Sequence, residues 1–320
     1  MTSIMTRLMS PETINEVPDI SQIPMGDMPG DKALINDNHL QKANRLIQPL
    51  FPLLTSALES NENERAVISV CGGSGVGKTE TASLIAYMLM KAGIGVYILS
   101  GDNYPYRIPK YNDAERLNIF RLEGIYELLA RGLYNESRYE ELAELQKKGT
   151  DSDSQKAVSN HWLSAYQQGG DSGLKKYLGT DKEINFAELS EIVTAFKNGA
   201  DEIFLKRMGR DEGSIWYSRT DMRDINVLII EWTHGNSDNL KGVDIPIFLY
   251  STPQETLAHR KVRARDNGAD SPFVMRVLGI ESELLVSQAH RAKLILSGKN
   301  ELLTLNELYK LSKTKTEVPA

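Results

Sequence analysis

Residues 66 to 81 read Ala-Val-Ile-Ser-Val-Cys-Gly-Gly-Ser-Gly-Val-Gly-Lys-Thr-Glu-Thr. A short β-branched and apolar run leads into a glycine-rich turn, and Lys78-Thr79 then opens a helical pattern. Gly72 to Thr79 satisfies G-x-x-x-x-G-K-[ST] at every specified position, in the strand–loop–helix context that gives the motif its meaning. Glycines at 72, 73, 75 and 77 let successive N–H groups converge with no Cβ in the way of a phosphate. The positive end of the following helix adds to them. The expected nucleoside-triphosphate site is Gly72, Gly73, Ser74, Gly75, Val76, Gly77, Lys78, Thr79 and Glu80. In such a loop Lys78 reaches the β- and γ-phosphates and the Thr79 hydroxyl ligates Mg²⁺. The motif does not say what becomes of the γ-phosphate.

Outward from the loop, Thr79 to Ala92 is expected as a helix, Gly93 and Gly95 stop it, and Val96 to Ser100 reads as a second strand. Such a β-α-β unit makes the two strands parallel, with a right-handed crossover. Two more strands are expected at Ile225–Ile230 and Ile245–Tyr250, the first apolar except for Asn226, as when helices cover both sheet faces. The fold class is therefore α/β: the three-layer α/β/α parallel sheet of a P-loop NTPase, with a large helical insertion. Residues 38–111 and 218–320 are assigned to the nucleotide-binding core. The insertion, 112–217, reads as helices over 113–133, 136–148, 153–167, 182–198 and 200–209, far longer than an ordinary crossover. It is the natural place for an acceptor-binding and lid subdomain, or else a helical decoration serving a homo-oligomer. Residues 1–37, with prolines at 11, 18, 24 and 29, read as a flexible N-terminal arm rather than core. A helical pattern from Asn38 to Leu58 is expected to end or kink at Pro49 and Pro52. Lys293–Leu296 and Leu302–Leu305 look like a hairpin.

The composition narrows the partners. A net charge of -6 argues against a nucleic-acid-coating surface. The single cysteine, Cys71, allows no internal disulfide and fits a cytoplasmic protein, where it reads as a small buried residue. Lys91, Gly93 and Gly95 interrupt the longest apolar stretch, so no membrane span or membrane partner is expected. None of the five histidines pairs with another histidine or cysteine at metal-ligand spacing, which leaves Mg²⁺ delivered with ATP as the expected metal.

Ligands of open parallel sheets sit beyond the carboxyl ends of the strands. After the second strand comes Ser-Gly-Asp-Asn-Tyr-Pro-Tyr-Arg, residues 100–107. Asp102 stands there either as a base or water-mediated Mg²⁺ ligand, or as simple turn chemistry. Tyr104, Tyr106 and Arg107 follow it as candidate acceptor contacts. Glu231 ends the third strand, either as a carboxylate at the metal or as a solvated strand end. His234 reads as a loop or surface histidine. Arg260, Lys261, Arg263 and Arg265 form a basic helical stripe, and residues 266–270 a connection suited to a closing lid. Lys206, Arg207, Arg210 and Arg219 form a second basic cluster that either binds an anionic acceptor group or is solvated.

Taken in order, Gly-Gly-Ser-Gly-Val-Gly-Lys-Thr, Asp-Asn-Tyr, Leu-Ile-Ile-Glu, Ile-Phe-Leu-Tyr and Leu-Ala-His-Arg-Lys-Val-Arg-Ala-Arg-Asp resemble the uridine kinase and phosphoribulokinase family over about 66–108 and 225–297. The resemblance implies an ATP- and Mg²⁺-dependent kinase acting on a hydroxyl of a small-molecule acceptor. It makes Asp102 the base, Glu231 and Thr79 the metal side, and Arg263 or Arg265 the lid arginine. The chain departs from the family at Glu231-Trp232-Thr233-His234-Gly235, where glycine commonly follows the glutamate, and by the extra length of the arginine pattern. An ATP-hydrolysing switch and a nucleotide-binding protein with altered catalysis are the alternatives; no Asn-Lys-x-Asp guanine-reading motif occurs.

Overall fold

The computed structural model describes residues 9–31, 34–209, 214–263 and 270–316. At its centre is a five-stranded parallel sheet: β1 (Ala66–Gly72), β2 (Val96–Ser100), β5 (Val227–Trp232), β6 (Ile245–Tyr250) and β7 (Leu294–Ser297), in the order β2-β5-β1-β6-β7. Every residue of β1, β5 and β6 is buried, which is why their sequences run apolar without alternation. The strand order reverses beside β1, so the crevice at the carboxyl edge opens where the glycine loop leaves β1 for α2 (Lys78–Lys91).

One face of the sheet is covered by α1 (Asp37–Glu59) and α2, in a core containing Leu46, Ile47, Leu50, Leu54 and Leu58. The helix α1 runs unbroken through Pro49 and Pro52, against expectation. Its apolar face is wholly buried against the sheet, and that packing outweighs the roughly 3 kcal/mol that an interior proline costs. The other face is covered by α7 (Phe186–Lys197), whose Phe186, Leu189, Val193 and Phe196 pack with Leu99, Leu228 and Ile230.

The insertion divides. α3 (Pro109–Ala130), α4 (Glu136–Lys147), the short α5 (Ser154–Ala157) and α6 (His161–Lys175) build a separate core around Phe120, Leu163 and Tyr166. By contrast α7 is a layer of the main sheet, so the 112–217 division places it on the wrong side. Residues 200–209, expected as a helix, are instead β3 (Glu202–Met208), paired antiparallel with β4 (Ile215–Asp221). Inward Ile203, Leu205 and Arg207 and outward Phe204 follow the period of two, and β-rich Ile-Trp-Tyr-Ser supplies the partner strand.

α8 (Pro253–Arg263) and α9 (Pro272–Ser287) follow β6. The expected terminal hairpin is half present: β7 joins the sheet parallel to β6, residue 302 makes a single bridge to Leu296, and α10 (Leu305–Thr316) begins where the second strand was placed. Residues 9–31 lie against the core, with Ile23 and Met28 buried, and are not the peripheral arm expected.

Candidate active site at the carboxyl edge of the sheet

The loop between β1 and α2 has the form a phosphate cradle needs. Gly77, the N-cap of α2, sits at φ 91°, and a Cβ there would lie 2.7 Å from the His39 ring. Both the dihedral and the space therefore require glycine. His39 and Lys42 reach the loop from the first turns of α1, and the Lys42 ammonium donates to the Val76 carbonyl at 2.6 Å. Burial pulls the Lys42 pKa down, while the nearby Glu80 charge works against that. Glu80, expected at the nucleotide, is buried, and its charge acts on Lys42. Sequence reading missed His39 and Lys42 because no motif ties the first helix to the loop. The Lys78 ammonium donates to the Gly73 carbonyl at 3.1 Å.

The parallel register sets Ser100 of β2 beside Glu231 of β5. Glu231 is buried rather than solvated, and it accepts from the Ser100 hydroxyl at 2.7 Å and the Thr79 hydroxyl at 3.1 Å. Burial first, and then the Asp102 charge, push its carboxyl up to about 8, with Lys78 opposing. A carboxyl held up in this way is one that gains a cation readily. Asp102 lies in a one-turn 3-10 helix, Gly101–Asn103, directly after β2, with its side chain exposed. Thus Lys78, Thr79, Asp102 and Glu231 lie together at this edge. Two carboxylates and a hydroxyl are hard oxygen donors, a set that fits Mg²⁺ carried in by a nucleotide. Among the described residues no group of three His, Cys, Asp or Glu side chains could hold a metal, so phosphate and water oxygens would complete the shell.

Trp232, in the place where the resemblance implied glycine, is a packing residue. Its indole is buried against Gly101, where a Cβ would meet the ring at 2.0 Å, and packs against Phe186 and edge-on to His234. His234 is accordingly not a surface residue; it is 4% exposed, and burial pushes its pKa down to about 4. Cys71 is buried as expected, its thiol pushed up to about 12, chiefly by burial. Tyr104, expected to touch an acceptor, is fully buried in the core under α7, which corrects that assignment. Tyr106 is exposed, and Arg107 donates to the Tyr177 hydroxyl at 3.2 Å.

The two basic clusters separate. Arg260 is the arginine of α8 that packs on the loop: it is 2% exposed, and a Cβ on Gly75 would lie 2.8 Å from its Cγ. The Arg263 side chain, Arg265 and the 266–269 connection fall outside the described residues, as does Arg210. Lys206 and Arg207 point to opposite faces of β3 and are both buried; Arg207 pairs with Asp27 at 2.9 Å. Arg219 is exposed and pairs with Glu202 at 3.2 Å. These residues do not form one anion site.

Beyond Asp102, a buried polar cluster closes the crevice on the insertion side. Arg116 of α3 bridges Glu183 at 2.7 Å and Glu281 of α9 at 3.2 Å. Asn112 donates to Glu183 at 2.8 Å and accepts from the Tyr177 hydroxyl at 2.9 Å. Burial works against the Arg116 charge, but Glu281 and Glu183 outweigh it and hold the guanidinium protonated. Glu281 also lines a small cleft with loop residues Gly73 and Ser74, and its pKa is raised, first by burial.

The sheet order and the loop at its switch point define a phosphate-loop nucleoside-triphosphate-binding fold. No family model matches the chain. Among curated proteins, the bifunctional alpha-galactosidase/sucrose kinase AgaSK of Mediterraneibacter gnavus is 39% identical over 261 residues. That similarity covers 82% of this chain and 22% of the relative, so the chain spans about a fifth of the relative's length. Among solved structures, the D-glycerate 3-kinase of Cryptococcus neoformans var. grubii aligns at 12% identity and a TM-score of 0.43, over 80% of this chain and 97% of that one. A structure described as a possible uridine kinase from Bacillus stearothermophilus aligns at 12% identity and a TM-score of 0.38, over 77% of this chain and 98% of that one. At such values the fold assignment rests on the sheet order and the loop themselves. Among the described residues no helix is long and apolar enough to cross a membrane.

Proposed function

We propose that this chain is an ATP-dependent kinase that transfers the γ-phosphate to a hydroxyl of an uncharged small molecule, a sugar or related polyol. The observation that carries the reading is the pairing, at the carboxyl edge, of an exposed carboxylate on a short turn with a buried one bonded to the phosphate-loop threonine. The loop amides and Lys78 hold the triphosphate, and Arg260 borders the loop at Gly75. Asp102 accepts the acceptor's hydroxyl proton as the new O–P bond forms and the bond to the ADP oxygen breaks. Thr79 and Glu231, with Asp102 on the solvent side, would hold Mg²⁺, which when bound neutralises phosphate charge.

Two independent supports bear on the acceptor. The relative is named as both an alpha-galactosidase and a sucrose kinase, and of those two activities a phosphate loop suits the kinase. Second, the cluster closing the crevice carries two carboxylates against one guanidinium that they already neutralise. Among the described residues of that cluster, a phosphorylated or carboxylate acceptor would meet a guanidinium already paired, whereas hydroxyls can both donate to and accept from such groups.

The test is ATP consumption with purified protein and Mg²⁺, alone and with sucrose, glucose, sorbitol, uridine, glycerate and glucose 6-phosphate. ADP formation that depends on a neutral sugar, with a phosphosugar product, is the expected result. Turnover at a comparable rate without acceptor would replace the kinase by an ATPase.

A further inference from the structure

The N-terminal segment reaches the same carboxylates from a direction that no motif announces. The Asp27 side chain is 8% exposed, and its Oδ1 accepts from the Ser100 backbone N–H at 2.7 Å and from the Asn103 side-chain amide at 3.2 Å. Its Oδ2 accepts from the Tyr97 hydroxyl at 3.0 Å and faces the Arg207 guanidinium at 2.9 Å. Ser100 precedes the turn that carries Asp102 and Asn103 is its last residue, and Ser100 also donates its hydroxyl to Glu231. Asn103 in turn accepts from the Met208 N–H of β3 at 2.9 Å. One residue back, a Cβ on Gly26 would lie 3.8 Å from Glu231 Oε1. A single side chain therefore ties the end of β2, the Asp102 turn and the β3–β4 hairpin together.

We propose that Asp27 is a positioning residue, and that the segment around it is a strap that fixes the Asp102 turn against Glu231. The inference rests on the kinase reading above and adds a residue to it. Its physical basis is that a one-turn 3-10 helix has too few internal hydrogen bonds to hold a carboxylate to the tolerance phosphoryl transfer needs. Without Asp27 the Ser100 N–H loses its acceptor and Arg207 is left as a buried, unpaired charge. Burial raises the Asp27 pKa against the pull of Arg207 and the Ser100 N–H, the mark of an acid placed in the interior at a cost.

The test uses Asp27→Asn in the full chain, alone and in an Asp102→Asn background, with sucrose or whichever neutral sugar the wild type phosphorylates. Alone it should lower kcat about 10- to 100-fold, as loss of a supporting hydrogen bond to a functional group does, with the ATP dissociation constant within about 3-fold. In the Asp102→Asn background it should have no further effect, because Asp27 then has no base to place. An equal loss in both backgrounds would make Asp27 a folding residue and overturn the strap. Wild-type kcat in the single variant would overturn it too. If Asp27→Asn does not fold, Tyr97→Phe removes one hydroxyl bond to Asp27, and a smaller loss with the same non-additivity is expected. A wild type inactive with every acceptor removes the kinase reading and the strap with it, whereas an active wild type with an unaffected variant removes the strap alone.

Discussion

At the scale of single residues, the chemistry lies in a few side chains whose surroundings set their state. Asp102 is exposed and Glu231 is buried, although both are carboxylates at the same edge. Burial and the neighbouring Asp102 charge raise the Glu231 pKa, and the proposed function has Glu231 at the cation and Asp102 facing the acceptor. Asp102→Asn should therefore lower phosphoryl transfer by about 10²- to 10⁴-fold with ATP binding nearly unchanged; near-normal turnover would remove it as the base. His234 carries a pH signature. Its pKa falls from about 6.5 in the unfolded chain to about 4 in the folded one, because burial excludes the imidazolium. Between these values the unfolded state binds the extra proton. Its contribution is thus fully present above about 6.5 and lost as pH falls through 4, on the order of 3 kcal/mol in all. Melting curves from pH 7 to 4 should show His234→Asn losing less stability than the wild type, and parallel curves would contradict this.

At the scale of elements, α1 supports the phosphate loop as well as covering the sheet. Leu46 to Leu58 cover the sheet, while the first turns bring His39 over Gly77 and Lys42 onto the Val76 carbonyl. Lys42→Ala should leave that carbonyl without its buried donor, at a cost of about 1–3 kcal/mol shared between folding and the loop's shape. ATP affinity and melting temperature together read this out; if both stay at wild-type values, α1 does not hold the loop. The β3–β4 hairpin is likewise more than decoration. Through Arg207 and Met208 it meets Asp27 and Asn103, so an element read as a helix of the insertion is part of the wall behind the Asp102 turn.

Across the whole molecule, the carboxyl edge collects side chains from the N-terminal segment, α1, the loop, the turn after β2, β5, α8 and α9. The proposed function has a nucleotide bind only this assembled edge, so ATP at about 100 times its dissociation constant should add about 2.7 kcal/mol to stability. In a thermal-shift measurement that is a rise of a few degrees, and Lys78→Ala should abolish it. An unchanged shift in that variant would mean that the nucleotide does not use the loop.

Gly72 to Thr79 was decisive in the linear sequence because every atom it needs is local: glycine dihedrals, consecutive amides and one lysine within a single turn. The strands β1, β2, β5 and β6 were legible for a similar reason, since strands buried on both faces run apolar without a break. Asp102 and Glu231 could be singled out from their positions at strand ends, but their pairing could not, since it depends on β5 lying between β2 and β1. Tertiary structure alone decided that α1 passes through two prolines, that 202–208 is a strand, and that His234 is buried while Lys206 and Arg207 separate. It also brought Asp27 73 residues back along the chain to Ser100. Each of these is settled by packing or by hydrogen bonds between distant segments. Such interactions outweigh local propensities of a few tenths to a few kcal/mol and leave no periodic trace in the sequence.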